Sequence, residues 1–172
     1  MKSKAGPASH QEQARLKGPV RVAVITVSDT RSPEDDTNGK YLQEQINEAG
    51  HELCAYRVIP DEPDRIERTL NELSELGCEV LLFNGGTGIS RRDTTYDVLA
   101  AKLEKTLTGF GEIFRMLSYQ EIGPAAMLSR AAAGTYRNSI VISVPGSPKA
   151  VKLAWEKLIA PEIQHLAWEL TR

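Results

Sequence analysis

Three glycines in four residues, Gly85-Gly86-Thr87-Gly88, are the sharpest chemical signal in the chain. Without Cβ atoms the backbone can take positive φ, so consecutive N–H groups can converge on a phosphate, and Thr87 adds a hydroxyl donor. No Gly-Lys-Ser/Thr follows, and the spacing is not GxGxxG, so neither a Walker A loop nor a dinucleotide fingerprint is present. A tight strand-to-helix connection would use the same glycines. Position at the carboxyl end of a strand favours the phosphate cradle. Arg91-Arg92-Asp93-Thr94 comes next. Asp93 or Thr94 can cap the following helix, and an Asp93 carboxylate beside the loop can also hold Mg²⁺ against a polyphosphate. Asp61, in another post-strand turn, carries the same two readings, helix cap or second magnesium ligand. Phosphoryl-type transfer needs positioning and charge neutralisation more than a nucleophilic side chain, so two carboxylates, one metal and a glycine cradle suffice.

Further candidates lie outside that cluster. Pro145-Gly146-Ser147-Pro148-Lys149 joins a strand to a helix N-terminus, a natural anion site, although one Lys in a first turn is usually just solvated. Ser129-Arg130 and Gly109-Phe110-Gly111-Glu112 complete the set. Locally, Glu112 and Arg115 read as a surface pair one helical turn apart, with a pocket wall as the alternative. Trp155 and Trp168 sit on apolar helical spacing and read as packing residues. His10, His51 and His165 form no cluster. Cys54 and Cys78 are too few for a zinc site or disulfide framework and read as reduced thiols in or near the core.

Strands alternating with helices must position these groups. Residues 20–29 are nearly continuous apolar and β-branched sequence, the pattern of a strand buried on both faces. A helix follows through Tyr41, Leu42, Ile46 and Ala49, stopped by Gly50. Strands are expected at 53–59, 79–83 and 139–145. Helices are expected at 61–76, 94–107, 112–120, 125–133 (ended by Gly134) and from Pro148 onward, kinked or broken at Pro161. Such βαβ units imply a mostly parallel sheet covered on both faces, with ligands bound beyond the strands' carboxyl ends. The Ser28-Asp29 turn, the Pro60-Asp61 turn, the 84–90 loop and the 145–148 loop should therefore share one edge.

The 172 residues suit a single domain, here 19–172, after a flexible tail at 1–18 without apolar periodicity. A net charge of −2 offers no broad field for nucleic acid or anionic lipid, so an anionic ligand must be held by a local site. No apolar run can cross a bilayer and no signal-peptide core is present, which makes cytoplasm the expected compartment.

Read together and in order, Thr26-Val27-Ser28-Asp29, Gly85-Gly86-Thr87-Gly88, Arg92-Asp93-Thr94, Gly109-Phe110-Gly111-Glu112, Leu128-Ser129-Arg130 and Pro145-Gly146-Ser147-Pro148 resemble the MogA/MoaB family of molybdopterin adenylyltransferases and their relatives. Asp35-Asp36-Thr37-Asn38-Gly39 and residues 114–123 resemble the MoaB branch in particular. The resemblance covers roughly 21–166. It implies a three-layer α/β/α sandwich with a mostly parallel sheet, assembled as trimers or hexamers. It implies ATP and molybdopterin as substrates with Mg²⁺ as cofactor, AMP passing to the pterin's terminal phosphate, and a product used by a downstream molybdenum-insertion partner. Carried over by position, Asp61 and Asp93 are the catalytic and metal-holding aspartates, and Gly85, Gly86, Thr87 and Gly88 the ligand-phosphate loop. Ser129 lies in the pterin region and Glu112 in the pocket segment, while Ser28, Asp29, Pro145, Gly146 and Ser147 join the substrate-binding set. Asn84 stands where the family often has Thr, Thr108 where Pro is usual before Gly109, and Tyr96 where Pro is common. A non-catalytic molybdopterin-binding or carrier protein is the alternative, since the binding loop would be the same. A vestigial structural partner is disfavoured because both aspartates are present. A dinucleotide-dependent oxidoreductase stands further off, because the first strand-to-helix turn lacks glycines.

Overall fold

In a computed structural model, residues 13, 14, 16 and 18–172 are described; most of the expected 1–18 tail lies outside them. Four parallel strands, adjacent from one edge inward, make up most of a six-stranded sheet: β1 (Arg21–Val27), β2 (Glu52–Ile59), β3 (Val80–Asn84) and β6 (Ser139–Val144). β5 (Ala132–Tyr136) and the two-residue β4 (Lys105–Thr106) add antiparallel, giving the order β2-β1-β3-β6-β5-β4. The double-sided burial expected of 20–29 follows from the pleat. Val22 and Val24 pack to one side, and Ala23, Ile25 and Val27 to the other.

The first face is covered by α1 (Thr37–Glu48), α4 (Thr108–Ile122), α5 (Pro148–Ala154) and α6 (Ala160–Thr171), with Leu42, Ile46, Phe114, Trp155 and Ile163 in its core. The second is covered by α2 (Pro63–Glu75) and α3 (Thr95–Lys102), which contribute Ile66, Leu70, Leu73 and Leu99. The result is the expected three-layer α/β/α sandwich. No helix of the described residues is long and apolar enough to cross a membrane.

Four expectations are corrected. Residues 125–133 are not a helix: a 3₁₀ turn over Gly123–Leu128 leads into β5. Gly134 is therefore no helix stop but a strand residue, where a Cβ would come within 2.3 Å of the Lys105 carbonyl of β4. The helix expected at 94–107 ends at Lys102. Glu104 and Leu107 donate their N–H groups to Thr135 and Ala133, fastening β4 to the sheet. Near Pro161 the helix neither breaks nor restarts. A π turn at Trp155–Ile159 widens it so that the Ala160 N–H reaches the Trp155 carbonyl, which accommodates a ring that cannot donate. Lastly, Cys54 and Cys78 are not free thiols but a disulfide, with Cα atoms 5.9 Å apart. The β1–β2 register runs from Val22↔Leu53 to Ala23↔Ala55, so Cys54 is the extra residue of a bulge.

Candidate functional site

Because β1, β2, β3 and β6 are mutually parallel, the four loops expected to share an edge do so. The Asp61 N–H donates to Asp29 Oδ1 (3.0 Å), and a Cβ on Gly146 would stand 3.1 Å from the Gly85 Cα. Buried Asn84 ends β3 and ties three elements together. Its amide donates to the Ile25 carbonyl (3.2 Å) and Thr26 Oγ1 (2.9 Å) and accepts from Asn38 Nδ2 (3.2 Å). Asn38 also donates to the Gly146 carbonyl at 2.8 Å. The departure noted at Asn84 is thus a junction between β1, α1 and two site loops.

The glycine loop needs its glycines. Gly85 has φ +106° and a Cβ there would lie 2.2 Å from the Val27 carbonyl oxygen. Gly86 has φ +64°, and its Cβ would meet Thr95 Oγ1 at 2.1 Å and Asp61 Oδ2 at 2.5 Å. A Cβ on Gly88 would approach Asp93 Oδ2 at 2.9 Å. Both expected aspartates therefore turn a carboxylate oxygen toward the same loop. Their surroundings differ. Asp61 Oδ1 accepts from the Thr94 N–H (3.1 Å), Thr94 Oγ1 (2.8 Å) and Thr95 Oγ1 (3.0 Å), which makes Asp61 the cap of α3 from across the sheet. Only its Oδ2 is left facing the loop. Asp93 instead lines a cavity of about 450 Å³. Asp61 is therefore a cap with one oxygen turned to the loop, outside the cavity lining.

That cavity has two kinds of wall. The polar one comprises residues 85–88, Asp93 and Pro145, Gly146 and Ser147; the apolar one is Phe114 and Ile122 of α4 with Ala125 and Leu128 of the 3₁₀ turn. Ser118 and Ser129 join them, and Ser129 Oγ is buried with no hydrogen-bond partner among the described residues. Ser147 Oγ accepts from the Ala150 N–H (3.2 Å), capping α5.

Four expected residues fall outside the cavity lining: Asp61, which caps α3 beside the glycine loop, and Ser28, Asp29 and Glu112. Ser28 Oγ accepts from the N–H groups of Thr30 and Arg31, and Asp29 pairs with Arg92 at 2.6 Å, so both shape the β1 turn. Glu112 is exposed, on the side of α4 away from Phe114, Ser118 and Ile122. Lys149 borders a separate hollow with Lys152 and Lys157. Conversely, Phe114, Ile122 and Leu128 were missed as lining residues. The i, i+4, i+8 spacing of Phe114, Ser118 and Ile122 on one helix face was the available signal. Arg130, a member of the sequence set without a role, reaches from the segment before β5 to the loop: its Nε donates to the Thr87 carbonyl (2.9 Å). Tyr96, where the family commonly has Pro, donates its N–H to the Gly86 carbonyl at 3.3 Å, a bond proline cannot make.

These features define an α/β protein with a cavity and a glycine-rich loop at the carboxyl edge of its sheet. The family described as "Probable molybdopterin binding domain" matches residues 23–165. A relative from Bacillus cereus, molybdenum cofactor biosynthesis protein B, is 45% identical over 165 residues, covering 95% of this chain and 96% of that protein. A crystal structure of molybdenum cofactor biosynthesis protein B superposes with a TM-score of 0.87 at 46% identity, covering 90% and 97% of the two chains. The Pyrococcus furiosus tungsten cofactor synthesizing protein MoaB gives 0.83 at 35%, covering 90% and 98%. The chain belongs to the MogA/MoaB family of molybdenum cofactor biosynthesis proteins.

Proposed function

We propose that this chain binds molybdopterin, with its terminal phosphate on the 85–88 loop, and transfers AMP to that phosphate from ATP. The observation that carries the reading is convergence: Asp61 Oδ2 and Asp93 Oδ2 both abut the glycine loop, and Asp93 shares a cavity with it. A terminal phosphate oxygen of the pterin attacks the α-phosphorus of ATP. A new P–O bond forms there, the bond to the oxygen bridging to the β-phosphorus breaks, and pyrophosphate leaves with that electron pair. Asp61 and Asp93 would hold Mg²⁺, a fit supported by two carboxylate oxygens facing one anion loop; bound there, the ion neutralises the crowded phosphate charge. The loop's amides orient the attacking phosphate, and the apolar wall of Phe114, Ile122 and Leu128 suits a flat, weakly polar ring system.

Asp61 also supports the carrier reading, since three donors already occupy its Oδ1. Incubation with molybdopterin, ATP and Mg²⁺, read by pyrophosphate release and by the mass of the pterin, separates the two. Adenylylated pterin with stoichiometric pyrophosphate is expected. Pterin binding without pyrophosphate selects the carrier, and absence of pterin binding sinks both. The same proposal includes trimer or hexamer assembly, to which the exposed Ile113, Met116 and Tyr119 of α4 lend an apolar face, and hand-over of the product to a molybdenum-insertion partner. Sedimentation analysis checks the assembly.

A further inference from the structure

The guanidinium of Arg130 makes five polar contacts, equal to its five N–H donors. Nε–H donates to the Thr87 carbonyl (2.9 Å), and Nη2 donates to the Gly88 carbonyl and, at 3.4 Å, to that of Asp93. Nη1 grips both carboxylate oxygens of Asp97, at 2.8 and 3.0 Å. The plane lies over the Tyr96 ring, 4.7 Å from its centroid, and the side chain is only 24% exposed. An arginine so committed has no donor left for an incoming phosphate. It acts on the loop, not on the ligand.

The consequence follows from peptide geometry. A trans peptide points its N–H opposite its C=O. The Gly86 carbonyl is held by the Tyr96 N–H (3.3 Å), and the next two, Thr87 and Gly88, by Arg130. Three successive carbonyls are therefore fixed, which fixes the N–H groups of Thr87, Gly88 and Ile89 in the opposite directions. None of those three N–H groups donates to an acceptor among the described residues. Three amides held this way form an anion-binding concavity.

We propose that Arg130, braced by Asp97 and Tyr96, is a positioning residue that sets the anion affinity of the 85–88 loop by locking its carbonyls away from the ligand. This rests on the reading that the loop takes the phosphate end of the substrate. Lysine at 130 keeps the charge but not the fork, since an ammonium cannot span the Thr87, Gly88 and Asp97 acceptors together.

Titration of the full chain with inorganic phosphate, followed by amide NMR, tests it. In the unaltered protein, the Thr87, Gly88 and Ile89 amides should shift together. In Arg130→Lys the apparent affinity should fall by about tenfold or more, and the pterin KM should rise more than kcat falls. Asp97→Asn, which loosens only the exposed brace, should weaken binding by roughly threefold, and it decides the matter if Arg130→Lys does not fold. Unaltered phosphate affinity and the same amide shifts in the variants overturn the clamp while leaving the loop as the phosphate site. No shift at these amides in the unaltered protein overturns the clamp and the phosphate reading together.

Discussion

The parallel part of the sheet and its antiparallel end serve one cavity by opposite means. β1, β2, β3 and β6 all finish at one edge, and what they deliver is polar: the glycine loop and Asp93 in the cavity lining, Asp61 beside the loop, and Asn84, held by Asn38 of α1. The antiparallel end, with the 3₁₀ turn and α4 that precede β5, delivers Phe114, Ile122 and Leu128. Strand ends expose unpaired backbone groups, which anions can use, whereas a helix flank presents side chains. The difference teaches a division of labour. In the proposed function, the parallel edge handles charge and the antiparallel flank handles the ring.

The widest gap between the two should appear on removing a charge from the parallel edge. Asp93→Asn keeps shape and size, so the fold and most pterin affinity should persist while kcat falls by about two orders of magnitude or more. Adenylylation assays paired with pterin titration check this. Undiminished turnover in that variant would remove Asp93 from the chemistry and erase the contrast.

Next in size is a comparison of two glycines. Gly86→Ala places a Cβ at positive φ, against Thr95 and Asp61, and should destabilise the protein by roughly 2–4 kcal/mol with loss of activity. Gly109→Ala, in α4 with nothing within 4 Å of the new Cβ, should be neutral or stabilise by about 0.5 kcal/mol. Denaturant midpoints measure both. Equal costs would mean that backbone constraint is not concentrated at the parallel edge.

A smaller effect is expected from the apolar wall. Leu128→Ala removes lining surface from a side chain already 55% exposed, so pterin affinity should weaken by about fivefold with kcat kept. A fall in kcat with unchanged affinity would contradict the assignment of that wall to binding.

The same two regions differ in how well their sequences announce them. β1 and β6 are β-branched runs and β3 an apolar one, and their burial on both faces left one reading open. β5 is Ala132-Ala133-Gly134-Thr135-Tyr136, rich in the best helix former. α4 packs closely on the segment that enters β5: a Cβ on Gly111 would stand 2.7 Å from the Ala131 carbonyl. Ladder hydrogen bonds to β6 overrode a local preference that pointed elsewhere. Around the candidate site, the meeting of the glycine loop with both aspartates was legible because each follows a parallel strand. Arg130 was not given its role, because it acts on carbonyls more than 40 residues away, and carbonyls leave no mark in a sequence. Glu112 was misplaced because motif membership does not give helical phase.

The smallest effect concerns the other end of the parallel part, where the strands begin. His51 Nδ1 accepts the Val20 N–H at 3.3 Å, and burial lowers the ring's pKa below its ordinary 6.5. The unfolded chain thus binds this proton more readily than the folded one. Stability from this group is complete above the unfolded value and is lost as pH falls through 6.5 toward the lowered folded value. Protonation also removes the acceptor from the Val20 N–H, so burial and bonding act in the same direction. The denaturation midpoint should decline as pH falls through 6.5, and His51→Gln, which keeps an acceptor without a titrating ring, should flatten that decline. Because β1 and β2 separate His51 from the glycine loop, the variant should leave phosphate affinity unchanged at every pH tested. Identical slopes for the two proteins would assign the acid sensitivity to another group, and a parallel change in phosphate affinity would show that the two edges of the sheet are not independent.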